Sequence, residues 1–154
     1  MMKKVFTPLM IAILLLLSCM GAGAAVGDVA GHIYSTDILA LINGMSIPSY
    51  NIGGRTVVLA EDLGGISTLD YSIYYGFYVS YDEAQRLLTV QSSWQAPYTS
   101  GEAAAVQRGT VGQILGDVYE TDIRVLFNGR YVQGYNIGGK TAVCLEDLGL
   151  LGEG

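Results

Sequence analysis

The sequence predicts an α+β fold, built from small antiparallel β-sheet modules in tandem, each with one short helix. Three observations support this prediction. The chain matches itself at an offset of 85 residues, and each copy begins with period-two apolar positions between tight-turn dipeptides. Each copy then continues with apolar residues four positions apart, the spacing of one helical face.

The repeat aligns Val26–Gly64 with Val111–Gly149 without a gap, and 21 of the 39 aligned pairs are identical. A match at a fixed offset indicates two related structural units. The differences between the copies are informative too. Leu39 aligns with Arg124, which predicts an outward-facing position in a half-buried strand.

The first elements of each copy read as a three-stranded antiparallel meander. Ile38, Ala40 and Ile42 alternate with the outward position and stay apolar in the second copy. Asn43-Gly44 then supplies residues that tolerate positive φ, as a tight hairpin turn requires. After another short strand, Gly53-Gly54 predicts a second turn.

A short helix is predicted next, over Val57–Leu63 in the first copy and Ala142–Leu148 in the second. Gly64 and Gly149 follow directly and suit a left-handed helix C-cap. Cys144 aligns with a leucine of the first copy, so we expect a buried thiol.

Only the first copy is predicted to continue beyond its helix. Tyr74–Tyr81 and Arg86–Gln91 are rich in aromatic and β-branched residues and predict a second hairpin. The sequence therefore predicts a complete module over 26–92, a linker over 93–110 and a second, truncated module over 111–154.

The N-terminus resembles a secretory signal peptide. A basic start precedes the apolar run Val5–Leu17, and small residues around Ala24 allow cleavage, which predicts a signal over 1–25. Two alternatives stay open. Cys19 lies in a lipobox-like context, so a lipoprotein signal would end before it, and Val5–Val26 is long enough to remain as an uncleaved anchor.

The charge of the exported chain argues against nucleic-acid binding. Removing Lys3 and Lys4 leaves six basic side chains against fourteen acidic ones, so the net charge becomes −8. Phosphate backbones are bound through clusters of lysine and arginine, and the sequence contains none.

The motifs resemble a known family. The order of Asn-Gly, Gly-Gly-Arg-Thr at 53–56, Glu-Asp-Leu at 61–63 and the aromatic hairpin at 75–90 is similar to the stalk module named after the N-terminal domain of copper amine oxidases. The resemblance implies an antiparallel sheet curled around one helix and an exported protein, as is common in Gram-positive bacteria. It implies neither copper nor amine oxidation, and the second copy departs from the pattern by lacking the final hairpin.

The sequence offers little for catalysis. His32 is the only histidine and aligns with Asp117, so we expect an exposed loop residue and no metal or cofactor. Glu61-Asp62 and Glu146-Asp147 recur in both copies, which favours a structural role such as a hydrogen bond to a nearby turn. We predict that the protein is not an enzyme, and a hydrolytic enzyme using Glu61 is the distant alternative.

A tyrosine cluster is the candidate recognition surface. Aromatic rings stack on sugars and peptides at low entropic cost, although strands also use them for packing. The candidate residues are Tyr71, Tyr74, Tyr75, Tyr78, Tyr81 and Trp94.

These observations predict a non-catalytic module at the bacterial cell surface or outside the cell, acting as a structural spacer or a protein-interaction element. The alternative is a carbohydrate- or cell-wall-binding module that uses the tyrosine cluster. We expect a protein or a cell-wall glycan as partner, contact with the membrane only through the N-terminus, and self-association through the incomplete second module, with Arg86–Gln91 of a neighbouring molecule as a candidate donor strand.

Mass spectrometry of the protein recovered from an exporting bacterium tests the N-terminal prediction. We expect a mature N-terminus just after Ala24. A diacylated Cys19 at the N-terminus would establish the lipoprotein alternative, and an intact Met1 would establish the anchor.

Overall fold

The computed structural model describes residues 23–65, 67–70, 73–93 and 106–149. The first copy contains β1 (Val29–Tyr34), β2 (Ala40–Ile42), β3 (Met45–Ile47), β4 (Ser49–Ile52), β5 (Arg55–Leu59) and helix α1 (Ala60–Gly64), followed by β6 (Ser67–Asp70), β7 (Ile73–Asp82) and β8 (Leu87–Ser93). The second contains β9 (Ile114–Tyr119), β10 (Arg124–Phe127), β11 (Arg130–Val132), β12 (Gly134–Ile137), β13 (Lys140–Cys144) and a 3-10 turn, Leu145–Leu148.

Six strands form one closed antiparallel barrel in the order β1-β4-β5-β13-β12-β9. Each copy contributes three strands, and the copies meet where β5 pairs with β13 and β1 pairs with β9. Equivalent residues face each other at both seams: Val58 is opposite Val143, and His32 is opposite Asp117. The two copies are therefore related by a pseudo-two-fold axis that passes through both seams.

The barrel interior is filled by equivalent apolar side chains from both copies. Val57 and Leu59 of β5 point inward, and so do Ala142 and Cys144 of β13. Burial raises the pKa of the Cys144 thiol, which keeps it protonated. The prediction of a buried thiol at Cys144 is confirmed.

A second core lies outside the barrel. The alternate residues of the same strands, Val58 and Val143, are completely buried there beneath α1 and the hairpins. The cover consists of a five-stranded sheet in the order β11-β10-β8-β7-β6 and of the separate β2–β3 hairpin. Strands β8 and β10 pair in parallel, so the last hairpin of the first copy covers an edge of the second.

The predicted α+β class, with a sheet curled around one helix in each of two tandem modules, is wrong. The described part of the chain is predominantly β, the one α-helix within it is α1, and the two copies share a barrel. The predicted helices failed because Val57–Leu59 and Ala142–Cys144 are strand, buried on both faces. A short apolar run of this kind fits a helix or a doubly buried strand equally well.

The predicted hairpin turns hold, but the three-stranded meander is wrong, because β2–β3 is a sheet of its own and β4 pairs with β1 and β5 in the barrel. Strands β1, β6 and β9 were missed. The turns at Asn43-Gly44 and Gly53-Gly54 and the second hairpin, β7–β8, are confirmed. The sequence did not predict strands β1 and β9, because each has a glycine in its middle and only one buried apolar residue, which leaves no period-two pattern.

The glycines after the helical segments differ between the copies. Gly149 has φ 66° and is the left-handed cap that the sequence predicts. Gly64 is still helical, and a Cβ atom there would lie 3.2 Å from Cγ2 of Val79, so α1 packs closely against β7. The predicted boundaries of the modules stay a prediction, because most of the linker and all of residues 1–22 lie outside the described residues. Within the described part of the chain, no helix is long and apolar enough to cross a membrane.

The shared barrel predicts that the first copy cannot fold alone as a monomer. A fragment comprising residues 26–92 has three of the six strands and would expose both seams to water. We expect it to be unfolded or to dimerise through the same seams, as measured by circular dichroism and sedimentation equilibrium. A monomeric fragment with cooperative, concentration-independent unfolding would contradict the barrel.

Candidate interaction surfaces

Two basic residues bind the carboxylates of the opposite copy. Arg55 and Lys140 are equivalent residues that directly follow the Gly-Gly turns, at the starts of β5 and β13. The guanidinium of Arg55 donates from Nε to Glu146 Oε2 at 2.9 Å and from Nη2 to Asp147 Oδ1 at 2.6 Å. These carboxylates raise the pKa of Arg55, so its charge is retained at any relevant pH.

The symmetry-related site is less complete. The ammonium of Lys140 pairs with Glu61, and this contact raises the pKa of Lys140. Asp62, the counterpart of Asp147, has a buried Oδ2 atom with no hydrogen-bond partner among the described residues. Burial and the neighbouring charge of Glu61 raise the pKa of Asp62. A guanidinium can reach two carboxylates at once, whereas an ammonium is a single point charge.

These contacts give the recurring carboxylates a structural role. The sequence prediction of a hydrogen bond to a nearby turn was close, since the partners are side chains next to the Gly-Gly turns of the other copy. The sequence did not predict Arg55 and Lys140 as the partners of these carboxylates. The recurrence of a basic residue after Gly-Gly in both copies was the signal that could have identified them.

A cleft of about 500 Å³ lies between the β7–β8 turn and the second copy. Its lining includes Glu61, Tyr81, Arg86 and Lys140. Arg86, in a left-handed conformation with φ 49°, donates from Nη1 to the hydroxyl of Tyr81 at 2.8 Å. Partial desolvation beside the cleft is the main cause that raises the pKa of this hydroxyl, so Tyr81 is a neutral phenol and a poor nucleophile.

Arg86 also ties the hairpin to the second copy. Its Nη2 donates to Asp122 Oδ1 at 2.9 Å, and its Nε donates to the same oxygen at 3.2 Å. The hydrogen bonds from the arginine lower the pKa of Asp122, so its carboxylate keeps its charge to a lower pH than an unpaired aspartate does. Asp122 and its equivalent Asp37 each follow a threonine whose hydroxyl oxygen accepts the hydrogen bond of this turn, from the amide of Ile38 in the first copy and of Ile123 in the second.

The candidate recognition tyrosines do not form one described surface. Tyr71 and Trp94 lie outside the described residues, and Tyr74 and Tyr75 are described only as backbone within β7. Tyr78 and Tyr81 are both exposed. They are three residues apart in a regular strand, so they lie on opposite faces of β7.

His32 is exposed, as expected, but it lies in β1 instead of a loop. Its Nδ1 atom is 2.9 Å from Oδ1 of Asp117, the residue with which it aligns in the repeat. The pair therefore lies on the pseudo-two-fold axis. No group of three or more potential metal ligands occurs among the residues that the structure describes.

The outer edge of β2 is a further exposed feature. Strand β2 pairs with β3 on one side, and no described strand pairs with its other side. Two large apolar side chains are exposed beside this edge, Ile38 with 51% and Leu41 with 64% of its surface accessible. Unpaired backbone groups next to exposed apolar residues are the usual features of a strand-addition site.

Comparisons with protein-family models, curated proteins and solved structures yield no match. The resemblance to the stalk module of copper amine oxidases therefore rests on the sequence motifs alone.

The unequal ion pairs predict that Lys140→Arg stabilises the protein. The guanidinium would reach Asp62 as well as Glu61, and we expect the melting temperature at pH 7 to rise by roughly 1–4 °C in thermal denaturation. Because Asp62 binds its proton more tightly when folded, its contribution to stability falls as pH rises from the ordinary carboxyl pKa of 3.8 through its raised value. The advantage of the variant should therefore grow over that pH range.

The matched control is Arg55→Lys, which should lower the melting temperature because it gives the Arg55 site the incomplete contacts of the Lys140 site. Equal melting temperatures for the parent and both variants would show that contacts to Asp147 and Asp62 contribute nothing to the stability of the fold.

Proposed function

We propose that this chain is a non-catalytic, exported interaction module of the bacterial cell envelope. The observation that carries the proposal is the edge of β2, which has no described strand beside it, together with the exposed side chains of Ile38 and Leu41. Such an edge binds other polypeptides through main-chain hydrogen bonds and apolar contacts. Export rests on the N-terminal sequence, and the resemblance to a stalk module agrees with a role as spacer and binding element.

The arrangement of charges supports the same proposal. The basic side chains Arg55, Lys140 and Arg86 are used to join the two copies or to hold the last hairpin in place. A catalytic acid or base needs to face a substrate, whereas Asp62, the carboxyl with the raised pKa, is not among the residues that line the cleft.

A glycan-binding role is the second candidate, favoured by the exposure of Tyr78 on the outer face of β7. Sugar-binding surfaces gain from several rings on one side, and Tyr81 lies on the opposite face of this strand. The edge of β2 is therefore the better supported surface.

Photo-crosslinking in an exporting bacterium tests the proposal. With benzoylphenylalanine at position 41, we expect adducts with other envelope proteins, to be identified by mass spectrometry. The control position is Leu115, which is similarly apolar and 50% exposed but lies in the barrel strand β9. Equal labelling at both positions would contradict a specific surface at β2.

A peptidoglycan pull-down separates the second candidate from the first. Retention that is lost in Tyr78→Ala, together with no protein adducts at position 41, would establish glycan binding and overturn the proposal of a protein-interaction module.

A further inference from the structure

The pseudo-two-fold axis relates β2 to β10, and the two strands have different neighbours. Strand β10 pairs with β11 on one side and with β8, in parallel, on the other. Strand β2 pairs with β3 on the corresponding side. The place that β8 takes beside β10 has no described strand beside β2. The occupied edge therefore indicates what the open edge is built to bind.

The main chain of β10 receives β8 through defined hydrogen bonds. The backbone amide of Arg124 donates to the carbonyl oxygen of Arg86 at 3.0 Å. The backbone amide of Asn128 donates to the carbonyl oxygen of Val90 at 2.9 Å. The side-chain oxygen of Asn128 accepts the amide of Ser92 at 2.8 Å.

The equivalent groups are present on β2. Leu39 aligns with Arg124, and Asn43 aligns with Asn128. The two asparagines share the left-handed conformation, with φ 51° at Asn43 and 46° at Asn128. The main chain at the end of β2 therefore has the same left-handed turn residue as the end of β10.

The apolar side chains indicate that a cover is missing beside β2. Ile38 and Leu41 are exposed, whereas their equivalents Ile123 and Leu126 are half-buried. Beside β10, the β7–β8 hairpin of the first copy also contributes Phe77, whose ring lies 6.0 Å from the ring of Phe127.

The charge beside the open edge defines the partner further. Asp122 binds Arg86, the residue just before β8. Its equivalent, Asp37, is exposed, and its carboxylate has no partner among the described residues. Arg108 contacts only the backbone carbonyl of Asp37, at 2.5 Å. A strand that pairs with β2 in the same way would bring a cation to Asp37.

We propose that the edge of β2 binds a β-hairpin of a partner protein, whose second strand pairs with β2 in parallel. This strand starts with a cationic residue at Asp37 and continues with apolar residues at alternate positions, as in Arg86–Val90 of this chain. The inference rests on the proposed function and adds the direction, register and chemistry of the bound strand.

A second copy of this chain fits the edge less well than a different protein. Strand β8 is already paired on both sides, with β7 and with β10. Transferring it to the β2 edge of a neighbour would open an equivalent edge on β10. Exchange of this hairpin between copies would therefore fill one edge by opening the other, and it creates no additional pairing.

Fluorescence anisotropy with a synthetic peptide tests this proposal. The probe is the labelled sequence Tyr78–Ser93, titrated with the whole chain. We expect saturable binding, which Asp37→Asn weakens about two- to five-fold through loss of an exposed ion pair. N-methylation of the Val90 amide in the peptide should weaken binding at least ten-fold, because this amide faces the acceptor strand. Asp28→Asn, the same change of charge at another exposed site, should leave binding unchanged.

Three outcomes would overturn the inference. The first is no binding of the peptide. The second is binding that neither Asp37→Asn nor N-methylation of the Val90 amide weakens, which would place the peptide away from the edge of β2. The third is a dimer of the chain alone, measured by sedimentation equilibrium and abolished by Leu41→Arg, which would make a second copy the occupant. Protein adducts at position 41 with no peptide binding would reject this inference and leave the proposed function standing.

Discussion

The structure depends on the pairing of β5 with β13, in which equivalent residues of the two copies face each other. Val58 and Val143 are opposite at this seam and are completely buried. The second seam, between β1 and β9, closes the barrel. Since each copy supplies half the strands, the core of either copy exists only in the presence of the other.

The central strands serve two cores at once. Val57 and Leu59 fill the barrel, while Val58 between them packs under the outer hairpins. Strand alternation makes this possible because successive side chains point to opposite faces. The outer core therefore packs on the barrel wall, and this packing positions α1 and the hairpins. The two copies differ mainly in what pairs with the edges of these hairpins.

The asymmetry between the copies is concentrated in a few substitutions and one hairpin. Arg55 reaches two carboxylates, whereas Lys140 reaches one and leaves an oxygen of Asp62 without a partner. The β7–β8 hairpin covers β10 and leaves β2 open among the described residues. The symmetric barrel therefore carries two related strand edges. The edge of β10 is paired with β8, and the equivalent edge of β2 has no described strand beside it.

The sequence alone determined the repeat, the hairpin turns and the burial of Cys144, because these follow from local geometry and from comparing the two copies. It left open whether the apolar runs Val57–Leu59 and Ala142–Cys144 were helix or strand, since burial on both faces removes the periodicity that separates the two. Only the tertiary structure decided that the copies share one barrel, because pairing between β5 and β13 joins residues 85 positions apart. The same long-range pairing brought Arg55 to Glu146 and β8 to β10, and so decided which edge was covered and which stayed open.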